Sequence, residues 1–261
     1  MPTAGAIRVT RLAVTPVKGL RLLSREAVVL DRAGVAEDRR FYVIDARGRM
    51  VNGKQLGALS SVVPGWDEAS GTLTLTFPNG TAVSAAVELG APIATRFHSR
   101  PATGRTVVGP WSRALSDHAG RALRLVAADG RVGVDRGRGG AVTLVSRASL
   151  DRLADVAGVP AIDARRFRML VEVDGPAAHE EDGWVGRRLR VGSALVGVRG
   201  HVGRCLVTTR DPDTGEVDLP VLDLLRSYRA DAPTTAPLAF GVYGEVLESG
   251  RVRRGDAVAV L

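Results

Sequence analysis

Short runs of apolar residues, separated by turn sequences, organise the first third of the chain. Residues 72–77 alternate strictly between threonine and an apolar side chain, and Ile7–Val14 alternates in places. Ala27–Leu30 and Phe41–Ile44 are short apolar runs, and Pro-Asn-Gly at 78–80 is a strong turn sequence. Alternation with period two places every second side chain on one face of a strand. The pattern predicts a small β-barrel or sandwich here rather than a sheet of βαβ units.

Helical spacing occurs in three segments of the remaining chain. Residues 111–123 carry apolar side chains four positions apart, residues 146–157 stop before Gly158 as a helix end should, and Val221–Tyr228 is the third segment. Further strands are predicted at Phe167–Val173, Arg188–Val191, Ala194–Val198, Cys205–Thr209, Tyr243–Leu247 and Ala257–Leu261. Together these elements predict a mixed α/β, β-rich fold with a few peripheral helices.

The apolar runs of this chain are too short to cross a bilayer. The first residues, Met-Pro-Thr-Ala-Gly-Ala-Ile-Arg, lack the charged and then apolar pattern of a signal peptide. We therefore expect a cytoplasmic protein without membrane contact, in a compartment where a free thiol stays reduced.

The formal net charge of +8 comes from arginines spread along the whole chain. No run of basic residues interleaved with aromatic residues occurs, so we expect no nucleic-acid partner. A few arginines in a pocket suffice to bind a small phosphorylated ligand. The basic residues include only two lysines, Lys18 and Lys54, each of which offers a compact point charge.

Cys205 is the only cysteine, which excludes an internal disulfide and a structural zinc site rich in thiolates. It follows a strand-like run and precedes a turn sequence at 211–215, so we expect it near the exposed end of a strand that carries Thr208 and Thr209 on opposite faces. The cation of Arg204 beside it would stabilise a thiolate. From residue types alone, an inert thiol and a reactive one remain open alternatives.

The segment Ala128–Gly140 is rich in glycine and arginine. We expect a loop there, either a linker or a lid over a ligand. It lacks the spacing of a phosphate-binding loop or a dinucleotide fingerprint.

The chain resembles the MOSC domain family over nearly its whole length. Four C-terminal motifs carry the resemblance: Gly-Arg-Cys-Leu-Val-Thr-Thr-Arg-Asp-Pro-Asp-Thr-Gly-Glu (203–216), Leu-Leu-Arg-Ser-Tyr-Arg (224–229), Phe-Gly-Val-Tyr (240–243) and Gly-Asp-Ala-Val-Ala-Val-Leu (255–261). Three N-terminal motifs resemble the β-barrel domain that precedes MOSC in the branch with the mitochondrial amidoxime-reducing component: Thr-Pro-Val-Lys-Gly-Leu (15–20), Asp-Arg-Arg-Phe-Tyr-Val-Ile-Asp (38–45) and Val-Asn-Gly-Lys-Gln (51–55). The resemblance implies an N-terminal β-barrel-like domain at 1–95 and a MOSC β-barrel domain at 96–261.

The same resemblance implies a molybdenum cofactor, a pterin dithiolene with a phosphate, whose metal Cys205 would ligate as the catalytic residue. It implies an oxidoreductase that reduces small N-oxygenated substrates with electrons from a separate reductase. The positions that match the family's cofactor pocket are Lys18, Arg39, Ser146, Ser149, Arg168 and Arg204. By residue type alone, Ser146 could equally be a helix N-cap and Arg39 a solvated charge at a strand end.

The chain departs from the family at the pocket, where Met169 and Leu170 stand in place of Pro and Asn, and Gly139 and Gly140 stand where relatives carry hydroxyl and acidic side chains. These changes motivate an alternative, a MOSC-fold enzyme or binding protein that has lost molybdenum. A second alternative is sulfur transfer, in which Cys205 carries a persulfide supplied by a partner.

Overall fold

Strands dominate the computed structural model, which describes residues 6–97, 100–130 and 137–261. The strands of this part are β1 Arg8–Val14, β2 Leu23–Arg25, β3 Ala27–Leu30, β4 Phe41–Asp45, β5 Met50–Val51, β6 Val63–Asp67, β7 Thr72–Thr76, β8 Ala82–Ala86, β9 Glu88–Phe97, β10 Arg100–Val108, β11 Leu123–Ala128, β12 Val142–Ser146, β13 Val171–Asp174, β14 Arg188–Val191, β15 Ala194–Gly203, β16 Ala239–Glu248, β17 Gly250–Arg253 and β18 Val258–Val260. The α-helices are α1 Trp111–Ala119, α2 Arg147–Ala157 and α3 Val221–Arg229. Short 3₁₀ helices lie at Gly57–Ser61, Arg138–Gly140, Ala164–Phe167, Glu180–Trp184 and Leu206–Thr209. The predicted mixed, β-rich fold class is confirmed.

The largest sheet has eight strands in the order β18-β14-β15-β16-β12-β13-β1-β2. Its strands bury a core of valine and leucine side chains, among them Leu12, Leu144 and Val196, which have no exposed surface. β12 and β13 run parallel and the other neighbours run antiparallel. This sheet carries β15, whose end leads into Cys205.

A second layer of structure is formed by a five-stranded sheet, β5-β4-β11-β10-β9, and a three-stranded sheet, β6-β7-β8. The alternation read in residues 72–77 is present in β7, where Leu73 and Leu75 are fully buried and the three threonines of the strand are partly exposed. Trp111 at the start of α1 packs in the same core and donates its indole N–H to the carbonyl of Leu73 at 3.0 Å. Tertiary packing therefore follows the period-two pattern in this part of the chain.

Strands from the two halves of the chain share sheets. β1 pairs with β13, β11 pairs with β4, and β9 runs through residues 95 and 96. The domain boundary between these two residues stays a prediction, and strands pair across it in both directions.

Two predicted helices are confirmed and one is shorter than predicted. α2 begins after Ser146, whose hydroxyl accepts the N–H of Ser149, and ends at Gly158 in the left-handed region. α3 matches its predicted segment with one further residue. α1 ends at Ala119 because Gly120 adopts φ +64° and terminates the helix.

The predicted strand Phe167–Val173 is wrong in its first half. Phe167 closes a 3₁₀ helix, Arg168 adopts φ +54°, and the strand begins only at Val171. None of the helices in the described ranges is both long and apolar enough to cross a membrane.

Candidate functional site

A cleft of about 610 Å³ lies between the loops of the N-terminal half and the loops that follow β15. Its volume is in the range of small-molecule and cofactor sites. Predicted site residues that line it are Lys18, Arg39, Arg168, Arg204 and Cys205. The structure thus brings together residues that lie up to 187 positions apart in the printed sequence.

The side chain of Cys205 is exposed within this cleft. β15 ends at Gly203, and Cys205 occupies the N-cap position of the 3₁₀ helix Leu206–Thr209. The Cys205 carbonyl accepts the N–H and the hydroxyl of Thr208, both at 3.0 Å. The thiol is therefore not buried.

The prediction of a strand at Cys205–Thr209 is wrong. The hydroxyl of Thr208 bonds back to the carbonyl of Cys205, and the hydroxyl of Thr209 bonds back to that of Leu206 at 2.7 Å. Such local bonds offer the backbone an alternative to a strand ladder. Both hydroxyls are thus engaged in the turn instead of lying on opposite faces of a strand.

Arg204 ties the end of β15 to two neighbouring segments. Its guanidinium donates to the carbonyl of Phe240 and, at 2.9 Å, to the carbonyl of Phe167. It also lies 3.0 Å from the sulfur of Met169 and 5.1 Å from the centre of the Phe167 ring. These contacts fix the backbone directly before Cys205, so Arg204 acts on the thiol's position through the backbone.

Arg39 and Arg168 form a linked pair in the lining of the cleft. Both adopt φ +54°, a left-handed conformation that is uncommon for residues other than glycine. Arg39 donates to the carbonyl of Arg168 at 3.0 Å and pairs with Asp38, and Arg168 donates to the carbonyl of Leu20 at 2.8 Å. Burial, reinforced by the nearby Arg39 charge, lowers the pKa of Arg168 to about 10, which leaves it a cation at neutral pH.

Cations outnumber acids in the lining. Nine lining residues are lysine or arginine, and two, Asp38 and Asp211, are acidic. Arg165 and Arg166 are neutralised from outside this set, since Asp213 accepts Arg165 at 2.6 Å and Asp218 accepts Arg166 at 2.5 Å. Even with these two pairs the cleft keeps an excess of positive charge, which suits an anionic ligand.

Ser146 and Ser149 lie away from the cleft and have no exposed surface. Their hydroxyls are 2.7 Å apart, and Ser149 donates to the carboxyl of Glu181 at 2.8 Å. Burial raises the pKa of Glu181. We call Ser146, Ser149, His179 and Glu181 the serine cluster, because the N–H of His179 also donates to the Ser149 hydroxyl at 2.8 Å. The structure separates these two serines from the other predicted site residues, and Ser146 is the N-cap of α2.

The altered pocket positions are occupied without strain on the cleft wall. Met169 and Leu170 both line the cleft while their side chains are buried, and Leu170 joins the main core. Gly140 lines the cleft, and a side chain at Gly139 would meet no atom within 4 Å. Residues 131–136 of the predicted loop or lid lie outside the described residues.

Several cations of the cleft lining were not predicted as site residues from the sequence, among them Arg100, Arg210 and Lys54. Arg210 lines the cleft, donates to the carbonyl of Gly215 at 2.7 Å, and has a buried Nε with no partner among the described residues. Its signal was its place in the motif at 203–216. Lys54 also lines the cleft, so both lysines of the chain lie there, which the scarcity of lysine alone indicated only faintly.

Within the described ranges, no group of three or more histidine, cysteine, aspartate or glutamate side chains could hold a metal ion. A metal at Cys205 would therefore find fewer than three such side chains among the described residues and would need further ligands from a group bound with it.

Two family models match the chain. The model described as MOSC domain matches residues 129–259, half of the chain, and the model described as MOSC N-terminal beta barrel domain matches residues 6–108.

Curated relatives match a shorter stretch. Mitochondrial amidoxime reducing component 2 of Homo sapiens is 41% identical over 98 residues, which are 35% of this chain and 29% of the relative. The Bos taurus protein of that name is 36% identical over 104 residues (37% and 30%), and mitochondrial amidoxime-reducing component 1 of Homo sapiens is 31% identical over 106 residues (38% and 31%). The match spans less than a third of the length of these relatives.

Two solved structures are more distant in sequence. The YUAD protein from Bacillus subtilis is 13% identical, with a TM-score of 0.46 over 98% of this chain and 95% of that chain. YiiM from Geobacillus stearothermophilus is 19% identical, with a TM-score of 0.37 over 67% and 73%. Similarity at this level says nothing about activity.

Proposed function

The chain belongs to the MOSC domain family, and on that premise we propose that it is a molybdenum-cofactor-binding oxidoreductase that reduces N-oxygenated substrates. The relatives named amidoxime reducing components support this reaction class, because an amidoxime carries oxygen on nitrogen. The sequence has no flavin, haem or iron–sulfur motif, so electrons would come from a separate reductase.

The residues of the cleft fit such a cofactor. Cys205 offers a soft, exposed thiolate ligand, and a pterin dithiolene brings two further soft sulfur ligands of its own. The excess of cations fits the phosphate of the same group. The buried Nε of Arg210 would gain an acceptor, which removes the cost of an unpaired donor.

Each cleft residue has a role in this proposal. Cys205 would ligate the metal, while Lys18, Arg39 and Arg168 would hold the anionic part of the cofactor. Arg204 would keep Cys205 in place through its bonds to the Phe167 and Phe240 carbonyls. When bound, the molybdenum group supplies the two-electron chemistry by which an N–OH substrate, two electrons and two protons give the N–H product and water.

The observation that carries the proposal is an exposed thiol inside a cleft lined by cations. The test is reduction of an aromatic amidoxime by protein from a host that makes the cofactor, with a reduced viologen as electron donor. We expect turnover by the wild type and none by Cys205→Ala. Leu206→Ala is the matched control, because Leu206 is the exposed neighbour of Cys205 in the same turn. Loss of turnover in both variants, or in neither, contradicts the proposal.

A second candidate function is sulfur transfer, and the open exposure of the Cys205 thiol favours it. A partner desulfurase could reach the thiol and leave one sulfur atom on it as a persulfide. Intact mass analysis after incubation with a cysteine desulfurase would show a gain of one sulfur atom that Cys205→Ala does not show. Absence of that adduct eliminates this candidate.

A further inference from the structure

Lys54 is presented by a well-anchored loop on the N-terminal wall of the cleft. We call residues 52–57 the Lys54 loop. The side chain of Asn52 accepts the N–H of Lys54 at 2.8 Å, and the side chain of Gln55 accepts the N–H of Asn52 at 3.2 Å. These bonds hold the backbone that carries the ammonium group, so its position is not that of a freely moving surface lysine.

The Lys54 loop packs against the segment that carries the thiol. A side chain at Gly53 would lie 3.9 Å from the Val207 methyl group, in the 3₁₀ helix that follows Cys205. A side chain at Gly57 would collide with the carbonyl of Gly215, in the turn that closes the same motif. Lys54 therefore lines the cleft from a loop that packs beside the segment carrying Cys205.

The charge of Lys54 is available to a ligand. Lys54 and Arg100 line the cleft with exposed side chains, and neither side chain makes a hydrogen bond or ion pair with the residues that the structure describes. Other lining cations differ, since Arg165 and Arg166 are held by aspartates at 2.5–2.8 Å. A cation that no protein acceptor engages can attract an anion at full strength.

We propose that Lys54 and Arg100, two exposed cations of the cleft lining, bind an anionic group of the substrate. This inference rests on the proposed reductase function and narrows its substrates to N-oxygenated compounds that carry a carboxylate or phosphate. Arg39 and Arg168 would hold the cofactor. Lys54 would favour anionic substrates that enter the cleft once the cofactor is bound.

The test compares two matched substrates, an aromatic amidoxime with a carboxylate at the para position and its neutral carboxamide. The measured quantity is the ratio of kcat/KM for the carboxylate to that for the carboxamide, at low and at high salt. We expect Lys54→Gln to lower this ratio about threefold, as one exposed ion pair would, and the double variant with Arg100→Gln to lower it further. Lys54→Arg keeps the ratio, and added salt lowers it in the wild type. Arg113→Gln, on the exposed face of α1, removes the same charge elsewhere and leaves the ratio unchanged.

A binding experiment separates failure of this inference from failure of the proposed function. Calorimetry measures binding of the corresponding carboxylate and carboxamide amidines, the reaction products, to the purified protein. Tighter binding of the carboxylate that Lys54→Gln weakens supports the inference even if neither amidoxime is reduced, a result that would remove the reductase function. Reduction of both substrates with a ratio that Lys54→Gln does not change overturns the inference and leaves the function intact. A fall in the molybdenum content of Lys54→Gln also overturns it, because Lys54 would then belong to the cofactor's site.

Discussion

The cleft and the serine cluster are two polar sites that differ in how their polar groups are satisfied. In the serine cluster, Ser146 and Ser149 are fully buried and bond to each other and to Glu181. In the cleft, the Cys205 thiol is exposed and cations outnumber acids. Both sites contain residues that match family motifs, so residue identity does not distinguish them. On the proposed function, burial and hydrogen bonding favour a stabilising role for the first and a binding role for the second.

The difference predicts two separate kinds of mutational effect. Substitutions of exposed cleft residues such as Cys205 and Lys54 should change what the protein binds with little effect on its free energy of unfolding. Substitutions in the serine cluster should lower that free energy and leave cofactor content unchanged. A cleft variant that loses only stability, or a serine-cluster variant that loses cofactor, would contradict this comparison.

The largest effect is expected at Arg168. Arg168→Ala removes a cation from the cleft, and one charge-assisted hydrogen bond is worth about 1.5–3 kcal/mol, so cofactor affinity should fall about tenfold or more. The measurement is molybdenum content per chain after extended dialysis. Arg168→Gly is the matched partner, because glycine adopts φ +54° without strain. Both variants should lose the cofactor equally, and retention in either one would contradict a binding role for the guanidinium.

A smaller effect, on stability alone, is expected at Ser149. Ser149→Ala removes the acceptor of the His179 N–H and a donor to Glu181, leaving buried polar groups unpaired at a cost of about 1–3 kcal/mol in free energy of unfolding. Urea unfolding measures this loss, and molybdenum content should equal that of the wild type. A lower metal content with unchanged stability would indicate instead that Ser149 belongs to the cofactor site.

The smallest effect is a pH dependence at His179, in the same cluster. Burial, reinforced by the Arg229 charge, lowers the pKa of His179 from 6.5 to about 4. The folded protein thus favours the neutral imidazole, and this contribution to stability is fully present above pH 6.5 and is lost as the pH falls toward 4. The free energy of unfolding of the wild type should therefore fall more steeply over this range than that of His179→Gln. Parallel curves of unfolding free energy against pH for the two proteins would show that burial does not lower the pKa of His179 in the folded state.

Local patterns in the sequence predicted local structure well. Strict alternation at 72–77 and the capping residues Ser146 and Gly158 each have a physical cause within a few positions of the chain, and β7 and α2 follow them. The strand predicted at Cys205–Thr209 was wrong because threonine favours strands yet bonds equally well to a nearby carbonyl.

The assembly of the cleft depends on contacts that no local pattern reveals. Family motifs pointed to Arg39, Arg168 and Cys205, but the left-handed backbone of the two arginines and their mutual bond result from packing between distant segments. Motifs also indicated Ser146 and Ser149, but their burial against Glu181 results from packing between distant segments. The place of Lys54 in the cleft likewise depends on the loop contacts at Gly53 and Gly57, which no local pattern predicts.

The molybdenum content of the protein tests the central claim most directly. Wild type and Cys205→Ala are purified from a host that synthesises the cofactor, and metal per chain is measured beside the thermal midpoint. We predict about one molybdenum per chain in the wild type and less than about a tenth of that in the variant, because the proposed function makes the exposed Cys205 thiolate the protein's ligand to the metal. The two thermal midpoints, measured on metal-free protein, should agree, since Cys205 is exposed. Equal molybdenum in both proteins, or none in the wild type, would contradict the assignment of Cys205 as the metal ligand.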